Sequence, residues 1–299
     1  MIPSGQRLKI IVAFLIVYLV WGSTYLAIRI GVSDLPPALF AGVRFVISGI
    51  LLGVYARLSG VSFPDTLHEW KMIGIVAVLL LVGANGLVVW GEQWVPSNQA
   101  ALIVATTALW IAGLGSLGTQ GERLAWQTIM GLGMGFIGVV ILLSPHFTDF
   151  SPDYFWGQLG IMLSSLLWAS GSIYSKRQRL RTPPLMAAAM QMLVGGLILT
   201  IIGLATGETA AWKWTVPSSA ALGYLILFGA VAFAAYVWLL HTVTPAQLGT
   251  YAYVNPAVAV LLGWFILGEK LAPAQMLGML VILLGVVLVS TSKPVTTLD

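Results

Sequence analysis

The residues of this chain able to do chemistry are few, and they sit inside apolar runs. Arg44 lies well within the apolar stretch 37–58, and an arginine at bilayer depth costs about 2.5–3.5 kcal/mol on insertion scales unless it is paired or hydrated. It therefore needs a partner. One reading gives it a substrate carboxylate reached from a cavity; the other lets it snorkel outward or cap the backbone carbonyls of a neighbouring helix. Trp21, Thr24 and Tyr25 recur at i, i+3 and i+4 and share one helical face, and Trp168 with Ser172 makes a similar face later in the chain. Large rings beside hydroxyls suit a cavity that stacks on an apolar or aromatic group and hydrogen-bonds its polar end, although packing accounts for the same faces. Trp110 and Tyr236 are further aromatic candidates for that wall.

Tyr251 and Asn255 share a face at i, i+4, and Pro256 removes a backbone donor and disrupts the bond to the carbonyl of Ala252. The expectation is a hinge beside the substrate, with a tolerated kink as the structural alternative. Asn85 joins the substrate-binding candidates, and Glu92 lies two helical turns beyond it. Glu92 and His241, which occupy corresponding places in the two halves, are candidates for proton coupling, since a carboxylate or imidazole in a partly dry site titrates near neutral pH. Both also fit as ordinary residues at span ends. No carboxylate stands clearly at mid-membrane, which leaves a facilitator driven by the substrate gradient in play.

Other chemistries find no support. The chain has no cysteine, which removes thiolate metal sites and a Cys nucleophile. His68, His146 and His241 are far apart and near loops, so neither a metal cluster nor an assembled nucleophile and base is evident, and no phosphate-binding glycine loop ends in Lys-Ser or Lys-Thr. No enzyme, cofactor or metal is expected. The net charge of +4 forms no basic stripe, so a nucleic-acid partner is not expected either.

The elements that position these residues follow from composition: 59% of the 299 residues are hydrophobic and 8% charged, against roughly 25% charged in soluble domains. A helix needs roughly 20 apolar residues to cross the hydrocarbon. The chain offers such stretches at 8–30, 37–58, 70–91, 97–119, 125–144, 155–175, 184–205, 219–240, 246–267 and 273–291. The reading is an all-α membrane protein with ten transmembrane helices, and the first stretch is a retained span because no small-residue cleavage site follows it. With both termini cytoplasmic, ten of the fourteen basic residues fall in inner loops or ends and only Arg29, Lys213 and Lys270 in outer loops, as the positive-inside rule favours.

A shift of 147 residues aligns Trp21 with Trp168, Ser23 with Ser170, Pro36-Pro37 with Pro183-Pro184, Gly121-Glu122 with Gly268-Glu269, and Gly138-Val139-Val140 with Gly285-Val286-Val287. Pro96 meets Pro245 at a shift of 149, which also sets Glu92 against His241. Arg44 falls opposite Gln191, a polar but uncharged residue that fits a hydrogen-bonding structural position. Five spans per half is an odd number, so the halves, 1–147 and 148–299, are expected to be inverted repeats, a recurrent device for alternating access that some channels share. Gly131, Gly135 and Gly138, echoed by Gly278 and Gly285, read as close helix packing. Glu122 and Glu269 read as helix caps.

The runs Trp21-Gly22-Ser23-Thr24-Tyr25, Ala41-Gly42-Val43-Arg44-Phe45, Tyr251-Ala252-Tyr253-Val254-Asn255-Pro256 and Gly268-Glu269 resemble the EamA-type drug/metabolite transporters, and within them the aromatic amino-acid exporters and their permease relatives. The resemblance covers essentially the whole chain. It implies a multi-pass protein of the bacterial inner membrane whose cavity lies between the halves, lined mainly by the first, third, fourth, sixth, eighth and ninth helices. The function it implies is secondary export of small metabolites, foremost aromatic or large neutral amino acids. Export of lipophilic cations is the alternative within that family, and a channel or scaffold is the alternative outside it. The partners are the lipid bilayer and a small-molecule substrate, and a monomer suffices because both halves are in one chain.

Overall fold

The computed structural model describes residues 4–95, 97–118, 121, 123–143, 155–178, 180–267 and 272–292, and every regular element among them is a helix. Pro96, Glu122, His146, Gly268 and Glu269 lie outside the described residues. Helices α1 (Ser4–Val32) and α2 (Pro37–Leu58) are uninterrupted. The third apolar run is one helix of mixed winding, made of α3 (Leu67–Ala77), a π-helical stretch at Val78–Asn85, and α4 (Gly86–Gly91). The fourth is broken at Thr106 into α5 (Ser97–Ala105) and α6 (Thr107–Ser116). Helices α7 (Trp126–Leu143), α8 (Phe155–Arg177), α9 (Pro184–Ala205) and α10 (Val216–Leu240) follow. The ninth run is parted at Thr250 into α11 (Pro245–Gly249) and α12 (Tyr251–Leu267), and α13 (Pro273–Thr291) completes the described chain.

Among the described residues, six helices are long and apolar enough to cross a membrane, with shorter apolar helices at Ala100–Ser116 and Trp126–Leu142. Two runs begin earlier than hydropathy places them because polar caps extend them. Thr66 accepts the backbone N–H of Glu69 at 3.2 Å at the start of α3, and Thr215 and Ser218 form a reciprocal capping box at the start of α10. Proline stands at the start of α2, α9, α11 and α13, where the donor it lacks would have had no partner.

The two most extensive helix pairs are α2 with α9 and α7 with α13. Glycines let their backbones approach: a Cβ on Gly42 would sit 2.6 Å from the Thr200 nitrogen, and one on Gly138 would sit 2.7 Å from the Ile282 nitrogen. The ends of the bundle are tied by polar groups. Glu208 accepts from the N–H groups of Leu39 (2.8 Å) and Ala38 (3.3 Å) at the N-terminus of α2, whose first turn has donors to spare. Glu69 accepts from Arg181 N (2.7 Å), Thr182 N (3.2 Å) and Thr182 Oγ1 (2.9 Å) just ahead of α9.

Three cations clasp the carboxyl ends of other helices, where unpaired carbonyls and the helix dipole favour positive charge, Arg177 of α8 among them through the carbonyls of Leu117 (2.6 Å) and Leu114 (3.1 Å) at the end of α6. Arg29 Nη1, near the end of α1, donates to the carbonyls of Glu92 and Gln93 beyond α4. Lys176, near the end of α8, donates to the carbonyls of Val243 (2.6 Å) and Leu240 (3.4 Å) at the end of α10.

Candidate substrate cavity

A cavity with about 800 Å³ of empty space, part of it open at the mouth, lies among α1, α2, the α3–α4 helix, α5–α6, α8, α9, α10 and α12. One wall carries its charge. Arg44 is 4% exposed and donates through Nη2 to Oδ1 of Asn85, its guanidinium lies 4.4 Å from the ring centre of Phe45, and its Nε has no hydrogen-bond partner. The partner that an intramembrane arginine requires is therefore a side-chain amide and a ring face, not a neighbouring helix backbone. Asn85 is the last residue of the π-helical stretch. Such a stretch shifts the faces of a helix relative to α-helical register and recurs at functional sites.

The rest of the wall is aromatic. Trp21 packs on Trp168 with ring centres 5.4 Å apart and on Tyr251 at 5.1 Å, both edge-on, and Phe233 meets Trp168 at 6.4 Å. Tyr236 stands behind them, 4.9 Å from Trp21, and its hydroxyl ties the cluster together: it accepts from Trp168 Nε1 at 2.9 Å and shares a 2.6 Å bond with Ser172. The i, i+4 faces thus converge as rings from four helices, with the Tyr236 phenol oxygen supplied with partners inside the cluster.

Of the candidate residues, Trp21, Thr24, Tyr25, Arg44, Asn85, Trp168, Tyr251 and Asn255 border the cavity. Ser172 and Tyr236 support it from behind. Trp110 does not border it: α6 turns this ring outward, and it is 40% exposed. Glu92 sits one turn beyond the wall residue Val88, fully buried, with neither carboxylate oxygen hydrogen-bonded, within electrostatic range of Arg29 and Arg44. His241 is exposed just past α10 and does not reach the cavity. Pro256 lies inside α12 next to Asn255. Gln191 departs from its expected role, being buried with both amide atoms unpaired.

The cavity also recruits residues that helical spacing did not single out: Phe45, Thr107, Ser164, Ser165, Met192 and Phe233. Helices α2 and α9 join the expected lining helices through Arg44, Phe45 and Met192. For Thr107 a sequence signal existed, since the shift of 149 that pairs Pro96 with Pro245 also places Thr106 and Thr107 opposite Asn255 and Pro256.

A model of the EamA-like transporter family matches residues 8–144 and again residues 155–291. The chain belongs to the EamA-like transporter family. It is 39% identical over 291 residues to the uncharacterized inner membrane transporter YedA of Escherichia coli (strain K12), covering 96% of this chain and 92% of that one. It is 26% identical to the uncharacterized transporter YvbV of Bacillus subtilis (strain 168), covering 96% and 92%. A solved crystal structure superposes with a TM-score of 0.80 at 22% identity, over 95% of this chain and 98% of the other, a likeness of fold.

Proposed function

We propose that this EamA-like transporter is a secondary exporter of small metabolites across the bacterial inner membrane, carrying aromatic and other large neutral amino acids by alternating access. The observation that carries the reading is the pairing, in one cavity, of Arg44 and Asn85 with the rings of Trp21, Trp168, Phe233 and Tyr251. A substrate carboxylate would take the free edge of the guanidinium, and each aromatic contact adds about 0.5–1.5 kcal/mol beyond area burial. Lipophilic cations would find the same rings, but no Asp or Glu is among the residues bordering the cavity: Glu92, within electrostatic range of Arg44, lies one turn beyond Val88. A zwitterion brings its own counter-charge. The membrane assignment follows the apolar helices and the relative named an inner membrane transporter.

The transport cycle rests on ten spans arranged as two inverted five-helix repeats, 1–147 and 148–299, with both termini cytoplasmic. The two-fold match of one family model supports this. So does the offset of 147, which carries α2 onto residues 184–205, the limits of α9, and Arg29 onto Lys176. The clasps made by these two cations then fall on opposite membrane faces and would open in alternation, with Pro256 as a hinge. Thermal unfolding of the purified protein with L-phenylalanine, L-tryptophan, L-alanine or tetraphenylphosphonium tests the substrate class, because a ligand at about 100 times its Kd stabilises by roughly 2.7 kcal/mol. Stabilisation by the aromatic amino acids alone is expected. Stabilisation by tetraphenylphosphonium alone would replace this reading with export of cations.

A further inference from the structure

Hydroxyls in these helices return to their own backbone. Thr24 donates to the carbonyl of Trp21, Thr106 to Ile103, Ser164 to Ile161, Ser172 to Trp168 and Thr200 to Gly196, each at 2.7–2.8 Å. Thr107 does not. It is 1% exposed, borders the cavity, and its Oγ1 has no hydrogen-bond partner. The carbonyl four residues back, that of Ile103, already receives Thr106 N at 3.1 Å, Thr106 Oγ1 at 2.7 Å and Ser165 Oγ at 3.4 Å. On α12, which borders the same cavity, Asn255 presents a second orphan, its Oδ1, also 1% exposed and also unpaired. Buried polar atoms of this kind are costly unless a ligand or water completes them.

We propose that Thr107 and Asn255 form the amine subsite of the cavity and take the ammonium group of an α-amino acid whose carboxylate is held at Arg44. This rests on the amino-acid reading above and deepens it. Two neutral acceptors suit an ammonium, which has three donors and needs no buried counter-ion when the ligand carries its own carboxylate. The guanidinium of Arg44 borders the cavity while Glu92, the acid within its electrostatic range, does not, and this sets the ligand class: zwitterions are held at both poles, simple amines find no carboxylate on the wall, and carboxylates without an amine leave Thr107 and Asn255 unpaired. The site therefore reads the α-amino group, while the aromatic wall reads the side chain.

The test is direct binding to the detergent-purified full chain of three probes, L-phenylalanine, 3-phenylpropionate and phenethylamine, for the wild type, Thr107→Val, Thr107→Ala and Thr107→Ser. The wild type is expected to favour L-phenylalanine over 3-phenylpropionate by roughly ten- to a hundredfold. Thr107→Val and Thr107→Ala should erase most of that ratio by weakening L-phenylalanine alone, and Thr107→Ser should keep it. A wild type that binds both carboxylates equally, or variants that weaken both equally and keep the ratio, would overturn the amine subsite and leave the carboxylate site at Arg44 standing. Binding of phenethylamine alone would overturn the amino-acid reading itself.

Discussion

Replacing Arg44 with glutamine separates its two roles. In the structure Arg44 borders the cavity, its Nη2 donates to Asn85, its face lies on Phe45, and its Nε is buried and unpaired. A hydrogen bond between charged groups contributes about 1.5–3 kcal/mol, so loss of the guanidinium should weaken a carboxylate ligand by about 10- to 150-fold. Glutamine retains donors for Asn85, which limits the penalty of about 1–3 kcal/mol for leaving that buried acceptor unpaired. The assay compares the affinities of L-phenylalanine and L-phenylalaninamide, which differ in the carboxylate, for the wild type and Arg44→Gln. The expected outcome is a large loss for the acid and no loss, or tighter binding, for the amide. Equal weakening of both ligands together with a fall in melting temperature would refute the carboxylate role and make Arg44 a structural partner of Asn85.

Gly42→Ala should destabilise the protein by about 1–3 kcal/mol, because the added Cβ would meet the backbone of α9, whereas Gly133→Ala, with nothing within 4 Å, should be tolerated; thermal unfolding in detergent distinguishes them. Glu69→Ala should cost about 1–3 kcal/mol or more by leaving the N–H groups of Arg181 and Thr182 without their acceptor, and Glu208→Ala should act the same way on α2; melting temperatures equal to wild type would contradict both. The chain has no cysteine, so one introduced at Ser165 on the cavity wall is a unique label. Arg29→Gln is expected to raise its reaction with a membrane-impermeant thiol reagent added outside, and Lys176→Gln to raise its reaction from the cytoplasmic side; changes in the same direction for both would break the proposed symmetry of the clasps.

Helices were legible wherever polarity alternates with long apolar runs, and their breaks were not. Hydropathy sees the fourth and ninth runs as continuous; the interruptions at Thr106 and Thr250 are events of backbone geometry with little compositional trace. The aromatic wall was readable because Trp21 and Trp168 each carry a hydroxyl residue on the same helical face. The partner of Arg44 was not, since Asn85 reaches it from the end of a π-helical stretch whose register no periodicity of 3.6 describes. Trp110 shows the converse limit: an aromatic residue inside a span faces the cavity or the lipid according to helix rotation, which depends on neighbours not encoded in its own segment. Thr107 was missed because threonine in a helix ordinarily satisfies itself on its own backbone, and nothing in its residue type announces that its hydroxyl does not.

The measurement that tests the central claim most directly is counterflow in proteoliposomes: vesicles preloaded with unlabelled L-phenylalanine or tetraphenylphosphonium receive labelled tracer of the same compound outside, at equal pH and with a pH gradient imposed. The expected result is transient accumulation of labelled L-phenylalanine at equal pH, absent in empty vesicles and in Arg44→Gln. Exchange of tetraphenylphosphonium with none of any amino acid would contradict the proposed substrate, and tracer entry that neither saturates nor depends on the preload would contradict a carrier.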